Sequence, residues 1–158
     1  MPSPVLDNHC HLAASNRGIE AVEAFARSGG THLLVVNQPS WKLDVEVTDP
    51  DDFRDVFDET VDLVARADEV VPGRAWLVRG VRPALISRLV DRGYSVDGAA
   101  ELMRGGLDIA AEYAADGPAI ALKSGRPHYD VAEATWAASN EVLRHAMALA
   151  AETGVALQ

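Results

Sequence analysis

Short apolar runs alternate with helical periodicities along the whole chain. Residues 5–11 read as a strand. In 17–29, Ile19, Val22, Phe25 and Ala26 recur at helical spacing and close on Gly29-Gly30. Residues 32–37, His-Leu-Leu-Val-Val-Asn, read as a buried strand. The run Thr48-Asp49-Pro50-Asp51-Asp52 predicts a helix start, with Asp49 as N-cap, Pro50 in the first turn and acids against the positive end of the dipole. Phe53, Val56, Phe57, Val61 and Val64 would form one stripe of that helix. Residues 75–81 read as a third strand, 83–93 and 95–117 as glycine-closed helices, and 119–123 as a fourth strand. Asp130 and Glu133 predict a capping box. The helix after it runs to about Thr153 with Trp136, Leu143, Met147 and Ala150 on its stripe, and 155–158 begin a fifth strand.

Strands that alternate with helices form a parallel sheet whose faces are buried. No linker or repeat divides the chain, so 1–158 read as one domain. A complete (β/α)8 barrel needs about 250 residues. The expected architecture is therefore the first half of such a TIM-type barrel, ending within its fifth strand. An open doubly wound five-stranded sheet is the alternative.

Composition narrows the class. No apolar run approaches the roughly 20 residues of a membrane helix, and the first residues lack the basic and apolar regions of a secretory signal. The single cysteine, Cys10, excludes an internal disulfide framework and fits a reducing, cytoplasmic setting. The chain carries 24 acidic and 14 basic residues, a net charge of −10. Such a field repels phosphate backbones and anionic lipid, although local metal ions can invert it at a site. Only Lys42 and Lys123 are lysines, a bias that fits a high-salt cytoplasm.

The sharpest chemical signal is Asp7-Asn8-His9-Cys10-His11 at the end of the first strand. Strict alternation puts His9 and His11 on one face, where two imidazoles can hold a divalent ion, and turns Cys10 to the helix layer as a small buried residue. Asp7 would share the histidine face and orient a ligand. Lys123 closes the apolar run Ala119-Ile120-Ala121-Leu122, where burial lowers an amine's pKa. His128 and Tyr129 follow that strand, in the kind of loop that places substrate contacts in such barrels, and Arg126 would hold an anionic group bidentately. Asn37 ends the second strand on the reactive face, and Trp41 and Lys42, in the loop after it, would line a pocket. His32, at a strand's amino end, reads as structural, and His145, mid-helix, as solvated.

The segment Val5-Leu6-Asp7-Asn8-His9-Cys10-His11-Leu12 resembles the opening of TatD-related metal-dependent hydrolases in the amidohydrolase superfamily. Gly80-Val81-Arg82-Pro83 and Ser124-Gly125-Arg126-Pro127-His128-Tyr129 fall where that family carries its third- and fourth-strand motifs. The resemblance implies a one- or two-metal site (Zn, Mn or Mg) at the carboxyl ends of the strands, with His9 and His11 as ligands. A metal-activated water would attack a phosphodiester, ester or amide of a small-molecule or nucleic-acid-derived substrate. Arg82 replaces the third-strand His of the pattern, which removes one possible substrate contact and leaves Arg82 as the substrate-binding candidate there. Lys123 or Ser124 replaces its fourth-strand Glu; elsewhere in the superfamily a carboxylated Lys bridges the metals, which makes Lys123 a ligand and catalytic candidate. The remaining ligands would lie on later strands, so this chain alone is expected to be inactive and to need its carboxyl-terminal half or self-association. The rivals are a doubly wound binding or regulatory module, disfavoured by the lack of a Gly-rich phosphate loop after the first strand, and a structural half-barrel subunit.

The charge imbalance generates one prediction. Self-repulsion among carboxylates weakens the fold when screening is poor. The melting temperature should rise as KCl is raised from about 0.1 M, where the Debye length is roughly 10 Å, into the molar range. A flat or falling calorimetric melting curve across that series would contradict the reading.

Overall fold

The computed structural model describes residues 3–158. Five parallel strands, β1 (Leu6–Cys10), β2 (His32–Val36), β3 (Arg74–Gly80), β4 (Ala119–Lys123) and β5 (Ala156–Leu157), lie in the order of the sequence. A doubly wound sheet reverses its strand order partway, and no reversal occurs here. The sheet curls as a half-barrel with its helices on the outside: α1 (Ile19–Arg27), α2 (Phe53–Asp58), α3 (Val61–Val70), α4 (Leu85–Asp91), α5 (Val96–Ala115) and α6 (Glu133–Thr153). Among the described residues, no helix is long and apolar enough to cross a membrane.

The outer layer holds two cores. Val22 of α1 and Leu63, Val64 and Ala67 of α3 pack on Leu33, Val35, Ala75, Leu77 and Ala119. Phe53, Val56 and Phe57 of α2 pack with residues of α4, α5 and α6 around Val81 and Leu122. This division corrects the single helix read over the Phe53–Val64 stripe. Asp49 and Asp52 do make a reciprocal capping box, but it opens a 3-10 turn over Pro50–Asp52, and the helix breaks at Glu59-Thr60 so that each half reaches its own core. Arg79, fully buried on the outer face of β3, occupies that break. It donates to Thr60 Oγ1 at 3.1 Å and to its neighbour's carbonyl, Val78 O, at 3.2 Å. Burial lowers its pKa to about 10, so the guanidinium stays charged at neutral pH.

Two further expectations are corrected at α6. Its N-cap is Ala132, without a side-chain cap, so the Asp130–Glu133 capping box does not form. Its buried face is Thr135, Ser139, Val142, Ala146 and Ala150, while Trp136 and Met147 are exposed. Small residues let α6 approach α5 closely, and Ser139 meets its hydrogen-bonding need within the helix, on Thr135 O at 2.8 Å. The same packing brings His145, read as solvated, to Asp108 of α5 at 2.6 Å.

The inner face is narrower. Val36, Val78 and Ala121 form its small buried cluster, and His32 stacks on Trp76 with ring centroids 5.7 Å apart, in keeping with a structural role. At the carboxyl ends of the strands, Asn37 Nδ2 donates to Gly80 O at 3.1 Å and its Oδ1 accepts Gly80 N–H at 3.0 Å. Gly80 lies in register with Lys123, and a Cβ there would fall 1.9 Å from the Lys123 carbonyl oxygen. The Gly80→Ala variant must separate β3 from β4, and it should lose about 3 kcal/mol of stability. Urea denaturation measures this, and an unchanged midpoint would rule out the close strand contact.

Candidate metal centre and the adjoining cleft

The histidine motif is shaped by a break in strand alternation. Asp7 is in register with Leu33 and Cys10 with Val35, both residues of the outer core, so three positions separate two side chains on the same face. A β-bulge absorbs the extra residue, and Asp7 Oδ1 accepts the His9 N–H at 3.0 Å within it. Asp7 is therefore on the outer face, not the histidine face. Cys10 does face the helix layer, where burial pushes its thiol up to about 12 and leaves it inert at neutral pH.

His9 and His11 come together, with ring centroids 5.3 Å apart and planes at 78°. His11 Nδ1 lies 2.9 Å from Val36 O. A carbonyl only accepts, so this nitrogen carries the proton and Nε2 keeps its lone pair. Burial first, and the positive charge of Lys123 among other causes, hold both imidazoles below the usual histidine range. Both are neutral at pH 7, the form that binds metal.

Lys123 ends β4 on the inner face, only 8% exposed and in no ion pair among the described residues. Burial, and secondarily the nearby Arg82 charge, lowers its pKa to about 8. His9, Arg82, Pro83, Ala84, Lys123 and His128 line a cleft of about 200 Å³. Among the described residues, no three His, Cys, Asp or Glu side chains converge as a complete ligand set. The donors present are two neutral imidazoles, one with its tautomer fixed, beside an amine of lowered basicity. This chemistry fits part of a divalent-metal site and leaves positions for further ligands.

A second cavity, of about 640 Å³, shares Arg82 and Ala84 with this cleft. Trp41 and Lys42 line it, as read from the sequence, together with Tyr129. Arg88 and Ser87 of α4 also line it, and neither gave a sequence signal, since a polar residue on an exposed helix face is ordinary. Arg126 enters neither cavity. It lies over the Trp136 ring at 5.0 Å and reaches Asn140 at 3.4 Å, because the loop directs it onto α6.

The Lys123 environment makes a signed prediction. A lysine whose folded pKa is about 8, against roughly 10.4 unfolded, binds fewer protons when folded between those values. Stability then rises with pH across that window, and below about 8 the buried charge costs on the order of 3 kcal/mol. Lys123→Met should be more stable than wild type at pH 7, with the difference closing by pH 10. Urea midpoints of the two proteins across pH 7–10 test this; parallel profiles would contradict it.

The model of a family described as TatD related DNase matches residues 6–158. An uncharacterized protein of Methanocaldococcus jannaschii, MJ1127, is 31% identical over 163 residues, a match covering 98% of this chain and 54% of that protein. The chain thus spans about half the length of that curated relative. No solved structure matches this chain. With the match running from β1 to the last residue of the chain, the protein belongs to the TatD-related DNase family.

Proposed function

We propose that this chain is the amino-terminal half of a cytoplasmic, divalent-metal-dependent hydrolase that cleaves a phosphodiester, ester or amide. The observation that carries this reading is the pairing of His9 with His11, whose tautomer the Val36 carbonyl fixes, at the carboxyl ends of parallel strands. Barrel enzymes build their active sites at that end.

His9 and His11 would hold the ion, Zn, Mn or Mg, as neutral donors. A divalent ion there supplies positive charge that acidifies water and stabilises the anionic transition state. Lys123, with its pKa lowered to about 8, is mainly charged at pH 7 but keeps a minor neutral fraction far above that of a free lysine. Its Nζ can then attack carbon dioxide and lose a proton, and the resulting carbamate is an anionic ligand of the kind the fourth strand needs. Arg82 and His128, which line the same cleft, would hold the substrate's charged or polar groups beside the reacting bond. Tyr129, one residue on, would contact the substrate from the adjoining cavity. Arg126, packed on α6, has no part in this reading.

The remaining ligands would come from strands beyond this half-barrel, either in the same polypeptide or from a paired chain. Leu6 is exposed on the edge strand β1, which favours such pairing.

The test uses the protein extended through all eight strands, with bis-(p-nitrophenyl) phosphate and p-nitrophenyl acetate as probes. His9→Ala and His11→Ala should each lower metal-dependent turnover on the order of 10³-fold. Cys10→Ser should leave it within about twofold. Wild-type turnover by the double histidine variant would overturn the reading.

A further inference from the structure

Lys42, Arg82 and Arg88 converge on the 640 Å³ cavity beyond the candidate metal cleft, and none of the three is in an ion pair among the described residues. Among the described residues, Arg27, Arg54, Arg74, Arg92 and Arg144 are paired with carboxylates. Arg17, Arg66, Arg79, Arg104 and Arg126 are in no ion pair either, but none of these lines the cavity, so what sets it apart is the gathering of three cations in one concavity. Asp91 is the single acidic residue lining this cavity. With three cations against that one carboxylate, the concave site keeps an excess of positive charge, and a concavity concentrates such a field.

The groups are also oriented for recognition. The Arg88 guanidinium lies 4.3 Å above the Trp41 ring centroid. Stacking restrains the planar fork and leaves its edge N–H groups free for an oxyanion. Tyr129 donates its hydroxyl proton to Ser87 Oγ at 3.0 Å, so the serine's own proton remains to donate inward. Arg82 lines both cavities and so joins this site to the cleft of His9 and Lys123.

We propose that this cavity is an anion subsite: it binds a phosphate or carboxylate group of a small substrate, held apart from the bond that is cleaved. The identification of that ligand as the substrate rests on the metal-hydrolase reading of the neighbouring cleft; the binding of the anion does not. Its volume falls within the range of small-molecule sites, about 300–1,000 Å³. A polynucleotide requires an extended basic track along its backbone, whereas here three cations are gathered in one concavity of an acidic chain. Lys42 and Arg88 are thus specificity-determining residues that anchor the far end of the substrate.

The experiment is calorimetric titration of the intact protein, without added metal, with inorganic phosphate, malonate and a single-stranded 12-mer oligothymidylate. Phosphate or malonate should bind, the better of the two identifying the anionic group. Arg88→Gln and Lys42→Gln should each weaken that binding at least fivefold, and the double variant at least twentyfold. His9→Ala/His11→Ala should leave it within twofold. Circular dichroism confirms that each variant is folded, and Arg88→Lys should restore part of the affinity. Absence of small-anion binding, or binding indifferent to the Lys42 and Arg88 changes, overturns the proposal while leaving the hydrolase reading intact. Oligothymidylate binding that depends on the same residues and is ten times tighter than the small anions also overturns it, in favour of a polynucleotide track. Conversely, if the double histidine variant still hydrolyses substrate, the hydrolase reading fails and the anion site stands on its binding data.

Discussion

No side chain fits at the end of β3, and the carboxyl end of the sheet is organised around that exclusion. Gly80 lets the Lys123 carbonyl approach to where a Cβ would stand, and the Asn37 amide spans the Gly80 N–H and carbonyl from the other side. Val36, the residue before Asn37, offers its carbonyl to His11. A continuous series of short contacts therefore crosses β1, β2, β3 and β4. It fixes the His11 tautomer, the strand spacing and the position of Lys123 together. Disturbing any member changes the separation of His11 from Lys123, because each contact ties a side chain or a carbonyl to the backbone of the next strand.

The charge of the chain is divided in space. Acidic residues and their arginine partners lie on the outer helices and loops, in exposed pairs such as Arg54–Glu112 and Arg144–Glu141. Pairs of this kind each add little stability in water. Around the carboxyl end of the sheet lie Arg82, Lys123, Arg88 on α4 and Lys42 in the turn after β2, none of them in an ion pair among the described residues. Net charge describes the surface that meets solvent, while the clefts have the opposite sign. Lys123 is affected most, because burial and the neighbouring Arg82 both disfavour its charged form.

The outer layer supports this arrangement through two cores instead of one. The break between α2 and α3 lets Phe53, Val56 and Phe57 serve the α4–α6 side while Leu63, Val64 and Ala67 serve the α1 side. Arg79 fills the break without a carboxylate partner, satisfied in part by Thr60 and Val78 and with Nε unpaired. A buried guanidinium is costly, yet its long stem packs where two helices diverge from the strand. The small buried face of α6 has the complementary consequence: its larger apolar residues, Trp136 and Met147, remain on the outer surface.

Much of this was legible in the amino-acid order, because it depends on local periodicity. Strand and helix alternation, the parallel sheet, the Asp49 cap and the pairing of His9 with His11 follow from residue spacing. The placement of Lys123 at a buried strand end follows from the apolar run it closes. Other features were decided by tertiary structure alone. The bulge at Asn8 and His9 moved Asp7 to the outer face, since alternation holds only while the ladder is regular. The divided helix and the Thr135–Ser139–Val142 face of α6 depended on which cores lay beneath them. The cavity of Trp41, Lys42, Arg82 and Arg88 exists only because the loops after β2 and β3 and the first turns of α4 meet when parallel strands lie in sequential order. Residues 41 and 88 are neighbours through the sheet, and no spacing rule along the chain encodes a contact that the sheet makes.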